Sequence, residues 1–505
     1  MAHAEPRGKF WRARWVGADG TRESESGFTS KKAALKYAQK KEAEVAAGTD
    51  NDERAGQIKL TDWVNKWFPA QDLELNTLNT YRGIIELMIL PRFGHVPLGA
   101  VEAHDVAAWE KGLIGKGYKP RTAREARKLL STIMGDAIPR YIKVNPAARK
   151  RGKGRKGQRR IEEAERAEKV WPTPLQAILF AERCALLTGD DSDFVLNVTT
   201  FYTGCRWSEI MGLGPKSVSR ALVNIHWKLY ELNGRFYRGR PKDGSIRDAD
   251  IPAFLADLLE WQLDTHPDRT CTCRNEDAPW CPGMEYVFLT SDNTHHRRSN
   301  YSSRIVRPAA DARYPSREAR YGRLSVPVLV DMSAAWPGVP LPPWPAAVPG
   351  QPYAPPTGRG IARLTAREGF GRCSACARST QLRQDGTLIN HKTGPERCPG
   401  SLLAPADLPA VASWLPLLAG LTEHGQRHAH QTMLDDLNIR YVLQAERMGH
   451  EVPGMRGVYK HIAPEWRVDL VSGLQRVWEE SLAERASISP RSAVPLLDRL
   501  LANRV

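Results

Sequence analysis

The sequence predicts a multidomain chain, mainly α with small β-sheets (α+β). Three observations carry that class. At 505 residues the chain is long enough for about three domains at roughly 150 residues each. Between Leu60 and Asn145 apolar residues recur at helical spacing in four successive segments. Short alternating stretches broken by glycine turns lie on both sides of that region and predict small sheets. Hydrophobic residues are 41% and charged residues 26%, which excludes wholesale disorder and collagen-like or membrane classes. The first thirty residues hold no apolar stretch of signal length, and no run of about 18 apolar residues follows. The expectation is a cytoplasmic protein with no membrane partner.

The N-terminal domain, residues 1–52, begins with Phe10, Trp11, Arg12, Ala13, Arg14 and Trp15, then a glycine turn and a second polar-alternating stretch. That is a hairpin signal, and Ala34, Tyr37, Ala38 and Val45 add one helix. Residues 57–148 form a helical domain. Trp63, Val64, Trp67 and Phe68 mark one helix, Tyr81, Ile84, Ile85, Met88 and Ile89 another, Ala100 to Leu113 a third, and Leu129, Leu130, Ile133 and Met134 the fourth. A linker, 149–170, opens with RKRGKGRKGQRR, eight basic residues in twelve with three glycines. Such a run cannot pack, and a place along a phosphate backbone suits it. The largest domain spans 171–485, with an insert at about 308–415, and residues 486–505 are a tail. Nine prolines in twenty residues from Pro337 exclude helix and central strand there. Val494, Leu496, Leu497, Leu500 and Leu501 give the tail a short amphipathic helix, fit to dock on its own core or on a neighbouring subunit.

Lys and Arg outnumber Asp and Glu by 73 to 57, a net charge of +16 that favours a polyanionic partner, above all nucleic acid. Six of the eight cysteines fall between 271 and 281 or between 373 and 398. Clusters of that kind suit a reducing compartment and metal sites.

Phe194, Val198 and Phe201 end at Thr203-Gly204, and Arg206 opens the next helix, where guanidinium and free amides make a phosphate-binding corner. Val223, Ile225, Trp227 and Leu229 alternate as one strand, Asn233-Gly234 marks a turn, and Lys242 projects from a hairpin tip. Thr422 is placed to cap a helix whose face carries His424, Arg427 and His428. Gly449 stops a further helix, His450 follows it, and Tyr459 lies nine residues on.

TGCRWSEIMGL, HGQRH and MGHEVPGMRGVYKH resemble the arginine, His-x-x-Arg-His and histidine–tyrosine boxes of tyrosine recombinases, the phage-type integrases, particularly long actinobacterial forms. The resemblance covers roughly residues 8 to 480. It implies an arm-type DNA-binding domain at 1–52, a helical core-binding domain at 57–148 and a mixed α/β catalytic domain with a zinc-ribbon-like insert. It further implies a site-specific recombinase that cuts and rejoins DNA through a 3′-phosphotyrosyl intermediate and a Holliday junction. By that resemblance Tyr459 is the nucleophile, Arg206 and Arg427 hold the non-bridging oxygens, and Lys242 protonates the 5′-oxygen. His424 is the base and His450 bonds the phosphate, with no cofactor for catalysis. Gln426 stands where family members commonly have Leu, and the span from Arg206 to His424 is unusually long. The implied partners are double-stranded DNA attachment sites, a homotetramer on DNA, and an accessory DNA-bending or directionality factor. Two other readings fit the chain, a non-catalytic zinc-containing DNA-binding protein and a type IB topoisomerase.

Cys373-x-x-Cys376, His391 and Cys398 form a Cys₃His set whose first pair has the spacing of structural zinc sites, so zinc is expected in the insert. Cys271, Cys273 and Cys281, with His266, His295 or His296, fit either a second metal site or free thiols. Cys184 and Cys205 read as helix-packing residues.

Overall fold

The computed structural model describes residues 2–17, 20–47, 55–149, 169–242, 245–273, 280–315, 326–331, 345–346, 370–373, 375–376, 378–385, 387–393, 395–405, 411–450 and 462–503. The chain divides into two compact units, Met1–Arg166 and Ala167–Val505. The expected fold class holds: helices predominate, and every sheet among the described residues has two or three strands.

In the first unit, strands His3–Arg7, Phe10–Val16 and Arg22–Phe28 form an antiparallel sheet backed by the helix Lys31–Ala46. Alternation sends Ala13 and Trp15 inward onto Ala34 and Ala38, while Arg12 and Arg14 on the other face pair with Glu5 at 3.2 and 3.4 Å. The edge strand His3–Arg7 extends the hairpin that the sequence pattern shows. The helical region packs Leu60–Trp67, Leu75–Ile84, Ala103–Gly115 and Pro120–Gly135 around Val64, Trp67, Ile89, Phe93, Leu113, Leu130 and Ile133. Its tryptophans keep their indole N–H groups satisfied. Trp63 donates to Ile133 O at 2.9 Å and Trp109 to Met88 O at 3.1 Å. Buried Glu110 pairs with Arg127 at 3.1 Å and with Arg149, so the first residue of the basic run is already engaged. The rest of that run lies outside the described residues.

The second unit is built on the helices Pro174–Thr188 and Ser192–Thr203, buried on nearly all faces. Thr173 caps the first in a reciprocal box with Gln176. The single strand expected from Val223 to Leu229 is in fact two. Leu222–Ile225 pairs with Arg247–Asp250, and Lys228–Leu232 pairs with Arg235–Gly239, so the chain changes sheets at His226-Trp227. Lys242 consequently sits in the loop after the second hairpin, not at a hairpin tip.

The insert leaves and returns at one place. Arg183, fully buried, donates to Ala309 O at 3.1 Å and Leu415 O at 2.9 Å, and Leu417 N–H donates to Ala310 O at 2.9 Å. A long excursion between adjacent ends leaves the core undisturbed. Pro345–Ala346 is the edge of a three-stranded sheet, the position that tolerates proline. The remainder of 336–356 is outside the described residues. Two two-stranded hairpins, Phe370–Arg372 with Ser379–Gln381 and Lys392–Thr393 with Glu396–Arg397, carry the second cysteine cluster.

The tail docks in cis. The helix Pro495–Ala502 buries Leu496, Leu497 and Leu501 in the chain's own core, the first of the two placements their pattern allows. Leu496 N–H donates to Asp191 at 2.8 Å, and Ser492 donates to Glu182, which Arg485 grips with two hydrogen bonds of 2.7 and 2.8 Å. Burying each leucine contributes roughly 1.5–3 kcal/mol, so the tail belongs to the fold's stability.

Candidate active site

The helix Ser192–Thr203 ends at Gly204, whose φ of 64° is left-handed. A Cβ there would lie 2.6 Å from His430 Cδ2 and 2.9 Å from Met448 Sδ, so conformation and close approach both require glycine. Cys205 is buried in this turn and not in a helix. Arg206, next in the chain, is half-buried and precedes the short helix Trp207–Ile210. Its guanidinium donates to Glu209 Oε1 at 2.6 Å and its backbone N–H to Glu209 Oε2 at 2.9 Å. Buried Glu209 also accepts from Arg247 at 2.7 Å. Burial works to raise the Glu209 pKa, but the bond and charge of Arg247, followed by those of Arg206, outweigh it and hold the carboxyl at about 2.

Arg427 comes from the helix Glu423–Asp436 and is buried. It donates to Gly204 O at 2.6 Å, to Met448 O, and to His450 Nε2 at 3.1 Å. Burial, then the charges of Arg206 and Arg247, pull its pKa down to about 10. Two guanidinium groups therefore grip one carboxylate with the third near enough to feel their charge, and the surplus positive charge suits a bound anion.

His450 follows Gly449, which ends the helix Tyr441–Met448 at φ 62°. A guanidinium N–H only donates, so His450 Nε2 is the acceptor and the ring proton belongs on Nδ1. Burial first, then Arg427, Arg206 and Arg247, lowers its pKa. His424 stands one turn before His428, with perpendicular rings 4.7 Å apart. Burial, then the charges of His428, Arg427 and Arg206, takes His424 to about 4, so it is neutral at pH 7 and free to accept a proton. Thr422 occupies the cap position of this helix without a side-chain capping bond.

Lys242 is exposed, and its loop is held beside this cluster through the backbone. Ser245 N–H donates to Lys242 O at 3.1 Å, Arg247 donates to Ser245 O at 3.2 Å, and a Cβ on Gly449 would lie 2.9 Å from Ser245 Cβ. Tyr459 lies outside the described residues. After that gap Arg467 bonds Asp250 at 2.7 Å, on the strand that carries Arg247. The structure thus brings Arg206, Arg427, His424 and His450 together, with the Lys242 loop alongside.

Sequence reasoning missed Glu209, Arg247, Arg447 and His430. Arg447 donates to His430 Nε2 at 2.9 Å, Asp250 O at 2.7 Å and Tyr202 O at 2.8 Å, tying the two helices and the strand behind the site. The Arg-x-x-Glu spacing of Arg206 and Glu209 was a usable signal; nothing local marks Arg247. Gln426 is accounted for. It donates to Asn197 at 3.0 Å, Asn197 to Tyr301 at 2.9 Å, and Tyr301 to Asp193 at 2.7 Å, a buried chain that leucine would leave unsatisfied.

Residues 59–114 match the family model for the phage integrase N-terminal SAM-like domain. The integrase of the transposon Tn1549, in complex with transposon right end DNA, is similar at 14% identity over 83% of this chain and 99% of that one, with a TM-score of 0.46. The same integrase with a circular intermediate DNA gives 13% identity, 83% and 99% coverage, and a TM-score of 0.48. A lambda integrase dimer bound to a COC′ core site gives 13%, 80% and 96%, and 0.40. No curated protein matches the sequence. The matched stretch precedes the arginine cluster in the chain, and among the described residues no helix is long and apolar enough to cross a membrane.

Proposed function

We propose that the chain is a site-specific DNA recombinase of the tyrosine type, an integrase. The observation that carries this reading is the anion-seeking cluster in which Arg206 and Arg247 share Glu209 while Arg427, close enough to feel their charges, meets His450 at 3.1 Å. Tyr459 attacks a scissile phosphorus; its O–P bond forms as the P–O5′ bond breaks. The phenol proton passes to neutral His424, and Lys242 gives a proton to the leaving 5′-oxygen. Arg206 and Arg427 bind the non-bridging oxygens, where forked guanidinium groups stabilise developing charge, and His450 donates from Nδ1. A 5′-hydroxyl of a second duplex reverses the step, so the phosphodiester energy is conserved and no nucleotide cofactor is needed. Exchange between two duplexes takes four cleavages, hence a homotetramer on attachment-site DNA, working in the cytoplasm with an accessory DNA-bending or directionality factor. Zinc on Cys373, Cys376, His391 and Cys398 orders the insert. Cys373 and Cys398 Sγ are 3.6 Å apart and Cys376 Sγ is 3.4 Å from His391 Nε2, close to the ~3.8 Å between thiolates on a tetrahedral ion with ~2.3 Å bonds.

A nicked attachment-site duplex that loses a short fragment on attack should trap the protein on the 3′ end. Tyr459→Phe should bind DNA and form no adduct. Arg206→Ala and Arg427→Ala should each slow cleavage by roughly 10²–10³. Binding without any adduct from the wild type would favour a non-catalytic DNA-binding protein, and relaxation of supercoils without partner exchange a topoisomerase.

A further inference from the structure

A second Cys₃His cluster lies within the catalytic unit itself. Cys271, Cys281 and His295 are buried, Cys273 is half-buried, and their four candidate ligand atoms all lie within 4.8 Å of one another. Cys271 and Cys281 Sγ are 3.5 Å apart, and Cys281 Sγ is 3.4 Å from His295 Nε2. A disulfide needs about 2.05 Å between sulfurs, whereas two thiolates on one tetrahedral zinc lie ~3.8 Å apart. The surroundings are built to hold the ligands. The His295 ring is flanked by Phe236 and Tyr286, each with centroids 4.7 Å away, and Tyr286 OH donates to Cys281 Sγ at 3.0 Å. Cys271 N–H donates to Met284 O at 3.0 Å, and Thr272 N–H to Asn293 O at 2.9 Å. Gly283, at φ 76°, brings its turn so close that a Cβ would lie 2.5 Å from Cys273 O.

We propose that Cys271, Cys273, Cys281 and His295 bind one structural zinc ion, which fastens the hairpin leading to Lys242 onto the catalytic unit. The fastening is visible in the contacts of the cluster with that hairpin. Cys281 N–H donates to Phe236 O at 2.9 Å, Arg235 stacks over Trp280 at 3.7 Å, and Arg297, two residues after His295, pairs with Glu231 and donates to Gly234 O at 3.1 Å. From Gly239 the hairpin runs directly into the loop that carries Lys242. The four ligands thus act as positioning residues. The metal assignment stands on its own, and only its link to Lys242 rests on the recombinase reading.

Metal analysis of the full chain purified without chelator should find two zinc ions per chain. Cys281→Ser and Cys373→Ser should each leave one, and the double variant none. In the wild type, Cys271, Cys273 and Cys281 should resist alkylation until zinc is chelated. One zinc that disappears in Cys373→Ser, free alkylation of Cys271 before chelation, or a Cys271–Cys281 disulfide would each overturn the proposal, and the wild-type arms decide it even where Cys281→Ser misfolds. Cys281→Ser should also slow cleavage of an ordinary phosphodiester by roughly tenfold, as loss of support around a site usually does. That loss should be restored on DNA whose 5′ leaving group departs without a proton. An equal loss on both substrates would overturn the link to Lys242 while leaving the zinc count untouched, and absence of any adduct in the wild type would instead fail the recombinase reading.

Discussion

The two cysteine clusters share a donor set and differ in what surrounds them. Both have three cysteines and one histidine, and both end a strand-like segment with Cys-Pro-Gly, at 281–283 and at 398–400. In each, the glycine lies against another member of the set: a Cβ on Gly400 would be 2.2 Å from Cys373 Sγ, and one on Gly283 2.5 Å from Cys273 O. The insert cluster packs with Leu382 and Leu388 in a small core of its own. Cys271 and Cys281 instead belong to the main core with Tyr286, Val287 and Phe288. The same donor set therefore lies at the centre of one small module and within the core of a larger one. A metal contributes folding free energy in proportion to the structure that depends on it.

The largest effect should follow Cys373→Ser. Among the described residues the core around this cluster adds only Leu382 and Leu388, so the 370–405 segment should become open to limited proteolysis while 171–300 stays resistant. Equal resistance of the two segments in the metal-free variant would erase the contrast. Smaller effects are expected from the glycines. Gly400→Ala should weaken zinc binding at the insert by roughly 10–100-fold in a chelator competition, because the new methyl displaces a ligand sulfur. Gly283→Ala acts on backbone at positive φ, where strain of order 1–3 kcal/mol falls on the turn, so it should lower the unfolding temperature of the second unit more than any zinc content of the chain.

The contrast also explains what could be read from sequence. Cys373-x-x-Cys376 is visible because both ligands sit on one tight turn. Cys271-x-Cys273, Cys281 and His295 are brought together by backbone pairing across twenty-five residues of chain, so their spacing carries no signature and the choice among His266, His295 and His296 stayed open. The arginine site divides the same way. Arg206, Arg427 and His450 follow helix ends marked by Gly204, Thr422 and Gly449, which are local signals. Arg247 reaches Glu209 only because its strand pairs with Leu222–Ile225 while the neighbouring stretch joins another sheet, and that branching leaves no mark on a period-two pattern. The docking of the tail depended on the Glu182–Arg485 pair, whose partners are remote in sequence and each look like ordinary helix-surface charges.

The smallest effect separates the arginine site from both cysteine clusters. His424, His428, His430 and His450 all have lowered pKa values, His424 at about 4, with burial as the first cause and neighbouring cations next. A histidine whose folded pKa is depressed leaves the unfolded chain holding more protons below its ordinary value of about 6.5. Its contribution is thus fully present above pH 6.5 and is lost as pH falls towards 4. An anion seated among Arg206, Arg427 and His450 favours the protonated rings and should oppose that loss. Sulfate at about ten times its Kd would add roughly 1.4 kcal/mol by mass action, more at pH 5 than at pH 7.5 as the histidines charge. Thiolates also protonate in acid and release metal, but zinc release can be followed separately and sulfate does nothing to prevent it. Acid unfolding monitored with and without sulfate, in wild type and Arg427→Ala, therefore tests the site alone. Protection by sulfate that persists in Arg427→Ala would place the anion elsewhere on this basic chain.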